Sequence, residues 1–103
     1  MKIVTLCGST RFKDAYEKAY AEETAKGNIV LTVECFGHLM PDFDMASDYK
    51  KRLDKLHLYK IAISDEVLIL NVDGYVGSST KNEIATAKAL NKIIRYLEKE
   101  VNK

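Results

Sequence analysis

The chain lacks several features that would assign it to a specialised class of protein. Cysteine occurs only at Cys7 and Cys35, which is too few for a disulfide framework and favours a reducing cytoplasm. Sixteen basic and fifteen acidic residues leave a net charge of +1, so no excess of positive charge indicates a nucleic-acid partner. Apolar runs are far shorter than a membrane-spanning helix, and the N-terminus reads as a strand rather than a signal peptide. We therefore expect a cytoplasmic protein without a nucleic-acid or membrane partner.

Repeats, low-complexity segments and linkers are also missing from the sequence, and Pro41 is its single proline. A length of 103 residues with 47% hydrophobic residues suits one domain with its own core. We expect a single domain over residues 1–103.

Short apolar segments alternate with segments of helical spacing along the whole chain. Strands are predicted at residues 2–7, 29–33, 66–72 and 93–97, and helices at about 12–26, 47–64 and 80–90. Ser47 or Asp48 can cap the second helix, and residues 98–103 read as a charged, frayed helix end. Helical spacing places one set of residues on a common face of the first helix: Phe12, Ala15, Tyr16, Ala19 and Tyr20. In the second helix, the residues at helical spacing are Leu53, Leu56, Lys60 and Ile63.

The order β-α-β-α-β-α-β predicts an α/β fold with a parallel sheet and helices on both faces. Right-handed connections favour the strand order 2-1-3-4, in a flavodoxin-like or Rossmann-like three-layer sandwich. Ligands of such sheets bind at the carboxyl ends of the strands, where the winding direction reverses. That place lies between strands 1 and 3, so loops 8–11 and 73–79 are expected side by side.

The first of these loops is Gly8, Ser9, Thr10 and Arg11. Glycine lets the backbone approach an anion, and helix-opening amides, two hydroxyls and a guanidinium could hold a phosphate. An ordinary helix start, with Ser9 or Thr10 as the cap and Arg11 in solvent, explains the same residues. The patterns of the P-loop and of the dinucleotide-binding loop are both absent.

The second loop allows two interpretations of Glu83. Thr80 and Glu83 form the pattern T-x-x-E, a capping box that requires no ligand. Alternatively, Glu83 is the centre of an active site, with glycines that allow positive φ and hydroxyls that offer donors. The small residues concerned are Gly74, Gly77, Ser78, Ser79 and Thr80.

Three segments, "LCGSTRF", "SDEVLILNV" and "GYVGSSTKNEIATA", together resemble the nucleoside 2-deoxyribosyltransferase superfamily. The first segment is most similar to that of the deoxynucleoside 5′-monophosphate N-glycosidases, and the resemblance covers roughly residues 2–97. It implies that Glu83 attacks the anomeric carbon and expels the base, and that water or another base then releases the glycosyl group. It also implies phosphate and sugar contacts from Gly8, Ser9, Thr10, Arg11, Gly77, Ser78 and Ser79.

The family carries an aspartate in the helix before strand 3, and this sequence has His57 at that point. Asp54 lies one turn earlier, so the two are neighbours on one helix face. His57 could act as the acid near neutral pH, or Asp54 could take the aspartate's role. Alternatively, both residues belong to a solvated surface stripe. Asp65 is expected to end the helix without a chemical role.

The connection 34–45 is a candidate lid or dimer interface, because it carries Phe36, His38, Met40 and Phe43. The resemblance implies a homodimer or a higher homo-oligomer. Cys35 and His38 are too few ligands for zinc, and we expect neither a metal nor a cofactor.

The expected function is therefore cleavage of the N-glycosidic bond of a nucleotide or nucleoside, by an N-glycosidase or a deoxyribosyltransferase-like enzyme. A non-catalytic module of the same fold that binds a nucleotide or its derivative is the alternative. A flavodoxin-like interaction domain without a ligand is a third possibility.

Overall fold

The computed structural model describes residues 1–33 and 48–99. The predicted connection 34–45 and the proposed cap at Ser47 lie outside the described residues. The elements are β1 (Ile3–Cys7), α1 (Lys13–Ala25), β2 (Ile29–Leu31), α2 (Asp48–Ile63), β3 (Glu66–Ile69), a short 3-10 turn (Val72–Gly74), α3 (Ser78–Ala89) and β4 (Ile93–Tyr96).

The four strands form one parallel sheet in the order β2-β1-β3-β4, which confirms the predicted order. β1 and β3 lie together at its centre, with Cys7 opposite Ile69 at their carboxyl ends. The winding direction reverses between these two strands. The predicted α/β fold is therefore correct.

Two apolar clusters lie on opposite faces of the sheet, because successive strand residues point to opposite sides. The cluster under α1 contains Val4, Leu6, Tyr16, Ala19, Leu68 and Leu70. The cluster under α2 and α3 contains Cys7, Ile61, Val67, Ile69 and Ala87. One helix on one face and two on the other give the three layers.

Two predicted helix faces are partly wrong. In α1, the buried face continues from Tyr16 and Ala19 to Glu23, and Tyr20 is about half exposed. In α2, the buried residues are His57 and Ile61, while Ile63 is 64% exposed. The packed face of α2 is thus rotated away from the stripe that also contains Leu56, which is exposed like Tyr59.

Two strands are shorter than predicted. β2 ends at Leu31, and as an edge strand it leaves Ile29 exposed. β3 ends at Ile69, because Val72–Gly74 form a 3-10 turn in which Asp73 and Gly74 have positive φ.

The predicted frayed helix at the end of the chain is wrong at Glu98, and residues 100–103 lie outside the described residues. The Glu98 backbone N–H donates to Asn71 Oδ1 at 2.9 Å, and Asn71 Nδ2 donates to the Glu98 carbonyl at 2.9 Å. The Glu98 carboxylate accepts the Asp73 backbone N–H at 2.9 Å. Glu98 is therefore bound beside the end of β3.

A network of charged residues lies near the amino ends of the strands, on the α1 face. Arg95 donates to Glu23 at 2.7 Å and to Glu66 at 2.8 Å, and both carboxylates are almost fully buried. Lys2 adds a 2.7 Å contact to Glu66, and Lys26 a 3.0 Å contact to Glu23. We call these five residues the amino-edge network.

Hydrogen bonds and ion pairs in this network stabilise the charged forms. Arg95 is the main cause that lowers the pKa of Glu23 to about 2, against desolvation that would raise it. The Lys2 ammonium is the main cause that lowers the pKa of Glu66. Glu23 in turn raises the pKa of Arg95. Both carboxylates are therefore ionised at neutral pH.

None of the helices within residues 1–33 and 48–99 has the length and apolar character needed to cross a membrane.

Candidate active site

The carboxyl ends of β1 and β3 bring the two unusual loops together. The Leu70 backbone N–H donates to the Cys7 carbonyl at 2.8 Å, which holds the strand ends side by side. A Cβ at Gly8 would lie 3.1 Å from both the Cβ and the carbonyl oxygen of Leu70. Glycine at this position therefore lets the first loop run close against the end of β3.

The first loop forms its own turn before α1 begins. The Ser9 carbonyl accepts the Phe12 N–H at 3.1 Å, and Ser9 Oγ accepts the Arg11 N–H at 3.3 Å. α1 starts at Lys13 with Phe12 as its N-cap and without a side-chain cap. The interpretation of Ser9 or Thr10 as a helix cap is therefore wrong.

Arg11 connects the first loop to the second. Its guanidinium carbon lies 4.4 Å from the centre of the Tyr75 ring, within cation–π range. A guanidinium N–H also donates to the Tyr75 hydroxyl at 3.4 Å. Phe12 meets the same ring edge-on, with the ring centres 5.9 Å apart. Loops 8–11 and 73–79 thus lie side by side, as the strand order predicts.

The second loop leads into α3 two residues earlier than predicted. α3 begins at Ser78 with Gly77 as N-cap, and no side chain caps this end. Thr80 is the third helical residue and is buried, so it cannot be the N-cap of a capping box. Gly77 has φ −78°, so the expected positive φ occurs at Gly74 and not at Gly77.

This shift changes the place of Glu83. It stands in the second turn of α3 rather than in its first, so it is not the N3 residue of a cap. The exposed residues Ser78 and Ser79 occupy the first turn. The capping-box interpretation of T-x-x-E is therefore wrong.

Glu83 lies in a small cluster of chemically reactive side chains. Its Oε1 is 3.9 Å from His57 Nε2, and its side chain is 14% exposed. The same His57 nitrogen is 3.5 Å from Cys7 Sγ. Three elements supply this cluster: the end of β1, the middle of α2 and the second turn of α3.

Asp54 has a different environment from His57. The His57 side chain is 4% exposed, whereas that of Asp54 is 50% exposed. Lys50 Nζ lies 2.6 Å from Asp54 Oδ1, an i, i+4 pair on the outer part of α2. The structure therefore brings His57, and not Asp54, to Glu83. The interpretation of both residues as a solvated stripe is wrong for His57.

Asp65 has the structural role expected for it. Its carboxylate accepts the Ile3 backbone N–H at 2.8 Å, across the start of the central strand pair.

Two residues of the site were not identified from the sequence. Cys7 was interpreted only as a small buried residue, and its contact with His57 spans 50 positions of the chain. Tyr75 stands in a glycine-bounded loop, and an aromatic residue there is the one signal that could have indicated a ligand contact.

No protein-family model matches the sequence, and no curated protein matches it. Among solved structures, the chain is similar to a 2-deoxyribosyltransferase from the psychrotolerant bacterium Bacillus psychrosaccharolyticus. The TM-score is 0.68 at 17% sequence identity, over 97% of this chain and 77% of that enzyme. The likeness confirms, at the level of the fold, the resemblance inferred from the three sequence segments.

Proposed function

We propose that the protein cleaves the N-glycosidic bond of a nucleotide or nucleoside, as an N-glycosidase or a deoxyribosyltransferase-like enzyme with Glu83 as nucleophile. One observation carries the proposal: Glu83 is a partly exposed carboxylate at the ligand-binding edge of the sheet and does not cap its helix. Among the described residues, His57 and Cys7 lie beside it.

The reaction takes two displacements at the anomeric carbon. A Glu83 oxygen forms a bond to this carbon while the bond to the base nitrogen breaks, and its electron pair leaves with the base. A proton delivered to the base neutralises it. Water then attacks the glycosyl ester, which returns the free sugar and the Glu83 carboxylate. Attack by another base instead of water gives transfer.

His57 takes the role that the family resemblance assigns to an aspartate. The 3.9 Å from its Nε2 to Glu83 Oε1 is too long for a hydrogen bond. A sugar or base group held at Glu83 would lie within reach of the imidazole, a side chain that commonly acts as a general acid or base. His57 therefore donates a proton to the leaving base or positions the sugar.

A phosphate is held by the first loop and the start of α3. Arg11 is exposed, and its guanidinium keeps donors free beyond the single one that Tyr75 accepts. The Ser78 and Ser79 amides open α3 without a side-chain cap, so they are suited to an anion. With Gly8, Ser9, Thr10 and Gly77, these residues form the proposed substrate site.

Chromatography of free base tests the proposal directly. The protein is incubated with each deoxyribonucleoside and ribonucleoside and with their 5′-monophosphates, beside Glu83→Ala and a matched control. Glu17→Gln is the control, because Glu17 is an exposed acid of α1 that is not part of the proposed site. We expect base release by the natural protein and the control and none by Glu83→Ala. Full release by Glu83→Ala would refute the nucleophile.

A second pair of variants separates the two acid candidates. We expect His57→Gln to lower base release by about 10²-fold, the usual range for loss of a general acid or base. Asp54→Asn should change it less than about twofold, because Asp54 is solvent-exposed and paired with Lys50. If Asp54→Asn lowers kcat/KM more than His57→Gln does in the same assay, Asp54 and not His57 fills the role of the family's aspartate.

The buried histidine also favours a second candidate function. An imidazole stands where the resemblance implies a carboxylate, and such a site could bind a nucleotide or its derivative without cleaving it. A rise in melting temperature with one compound, without free base from any, would establish this binding module.

Two further parts of the proposal concern assembly and location. A homodimer or higher homo-oligomer would cover the exposed apolar side chains Leu56, Tyr59 and Ile63 of α2. Light scattering coupled to size exclusion would measure the assembly. A buried free thiol at Cys7 suits the reducing cytoplasm.

A further inference from the structure

The cluster of Cys7, His57 and Glu83 presents three metal-binding atoms of three kinds to one another. Their sulfur, nitrogen and oxygen atoms all lie within 4.8 Å of each other. Cys7 and His57 are buried, and Glu83 is the partly exposed member. A cluster of this composition has two possible uses, a proton-relay triad or a metal site.

The geometry at His57 argues against a relay. In a cysteine–histidine–carboxylate triad, the nucleophile contacts one ring nitrogen and the carboxylate contacts the other. Here both neighbours approach the same nitrogen, with Cys7 Sγ at 3.5 Å and Glu83 Oε1 at 3.9 Å from Nε2. Three donor atoms arranged around one point are instead the beginning of a coordination sphere.

The separation of Cys7 and His57 fits a tetrahedral zinc ion, and the Glu83 carboxylate lies slightly farther away. With Zn–S near 2.3 Å and Zn–N near 2.05 Å, sulfur and nitrogen ligands lie about 3.6 Å apart. The Cys7–His57 separation of 3.5 Å agrees with that distance. Nitrogen and carboxylate oxygen would be about 3.4 Å apart, so the Glu83 oxygen has to move by about half an ångström toward His57. Glu83 is the least confined of the three side chains.

The charges of the three ligands also suit a buried divalent ion. Cys7 binds as a thiolate after its proton passes to solvent, and Glu83 binds as a carboxylate. Together they neutralise a doubly charged ion, and His57 stays neutral, so no net charge is left in the low-dielectric interior. Mixed sulfur, nitrogen and oxygen ligands are typical of zinc, whereas magnesium and calcium prefer oxygen alone.

From these observations we infer that Cys7, His57 and Glu83 form a zinc-binding site. Local spacing pairs only Cys35 with His38, and Cys7 reads as a small buried residue, because it is far from His57 in the sequence. The site goes beyond the proposed function and shares Glu83 with it. A carboxylate bound to zinc cannot attack an anomeric carbon, so zinc is expected to inhibit base release.

Competition with a chromophoric zinc chelator tests the site without any substrate. We expect the metal-free full chain to take up one zinc per chain. Cys7→Ser, His57→Gln and Glu83→Gln should each weaken binding at least about tenfold, since even outer-shell losses weaken metal sites by 10- to 100-fold. The matched control Cys35→Ser, which removes the other cysteine, should bind like the natural protein. Loss of binding in Cys35→Ser, or unchanged binding in Cys7→Ser, would overturn the proposal.

Cobalt substitution supplies a second readout that identifies the ligands. A Co²⁺ ion at the site should give a thiolate-to-cobalt charge-transfer band and the intense visible bands of tetrahedral coordination. Cys7→Ser and Cys7→Ala should both lose the charge-transfer band, and circular dichroism shows whether each variant is folded. A bound cobalt ion without that band contradicts Cys7 as a ligand. Failure of zinc binding leaves the base-release assay unaffected, so the two proposals can fail separately.

Discussion

The two edges of the sheet hold glutamates in opposite environments. In the amino-edge network, Glu23 and Glu66 are almost fully buried, and Arg95 bridges them while lysines add further contacts. At the carboxyl edge, Glu83 is partly exposed and lies beside an imidazole and a thiol. The same kind of side chain is thus paired with cations at one edge and lies beside an imidazole and a thiol at the other.

Under the proposed function, this difference separates a structural carboxylate, Glu23, from a nucleophile, Glu83. The pKa of Glu23 is lowered to about 2, mainly by its hydrogen bond to Arg95, so its lone pairs are weakly basic and occupied by donors. In our two proposals, Glu83 binds a sugar carbon or a metal ion instead. A buried charge alone is therefore a poor guide to an active site, and the partner decides its role.

The largest difference between the two edges is expected when one glutamate charge is removed from each. Glu83→Gln should lower base release by at least about 10³-fold, as expected for loss of a nucleophile, and change unfolding free energy by less than about 1 kcal/mol. Glu23→Gln should lower the unfolding free energy by more than Glu83→Gln does and leave kcat/KM near its natural value. Kinetics and urea unfolding of the same preparations give both numbers. Equal effects of the two variants on activity would remove the distinction between the edges.

The next largest effect concerns the cations of the amino-edge network. Arg95→Met leaves two buried carboxylates without their shared partner, and we expect a loss of about 2 to 4 kcal/mol, near the lower end of values for broken buried pairs because Arg95 is partly exposed. Lys26→Met is the matched control. Its ammonium is largely solvent-exposed, so its loss should be less than about 1 kcal/mol. Urea midpoints at neutral pH measure both, and a larger loss in the control would contradict the assigned roles.

Acid should weaken the same network. The folded-state pKa of Glu23 is lowered, so its contribution is present above the ordinary value of 4.5 and disappears as the pH falls toward about 2. We expect the unfolding free energy to fall by about 2 kcal/mol between pH 6 and pH 3 through Glu23. Glu66 should add a loss in the same direction. Urea unfolding at several pH values measures how the unfolding free energy changes with pH. Glu23→Gln should make this change smaller. An unchanged pH dependence in the variant would show that other groups cause it.

The sheet order could be predicted because it depends on local patterns. Apolar runs such as 66–70 have no helical period, and helices between them allow few connections. The rotation of α2 could not be predicted in this way, because Leu56 and Ile63 compete with His57 and Ile61 at equally helical spacing. Packing against the Cys7 face of the sheet decides between the two stripes.

The site was predictable where it lies near sequence motifs and unpredictable where it depends on tertiary contacts. Glu83 is a candidate because of its motif. The prediction that it belongs to a capping box is wrong, because the helix begins at Ser78, two residues before Thr80. The meeting of Cys7 with His57 and the bridge from Arg95 to two glutamates join distant parts of the chain. No local pattern encodes such contacts.

The paired hydrogen bonds between Asn71 and Glu98 have a consequence for protein engineering. Asn71 is buried just before the loop that leads to Glu83, and its side-chain amide is satisfied by the backbone of Glu98. A truncated chain ending at Leu97 would leave that amide without these partners and free the Asp73 backbone from the Glu98 carboxylate. Shortened versions or fusions should therefore retain Glu98, since the loop that leads to Glu83 is hydrogen-bonded to this residue just after the last strand.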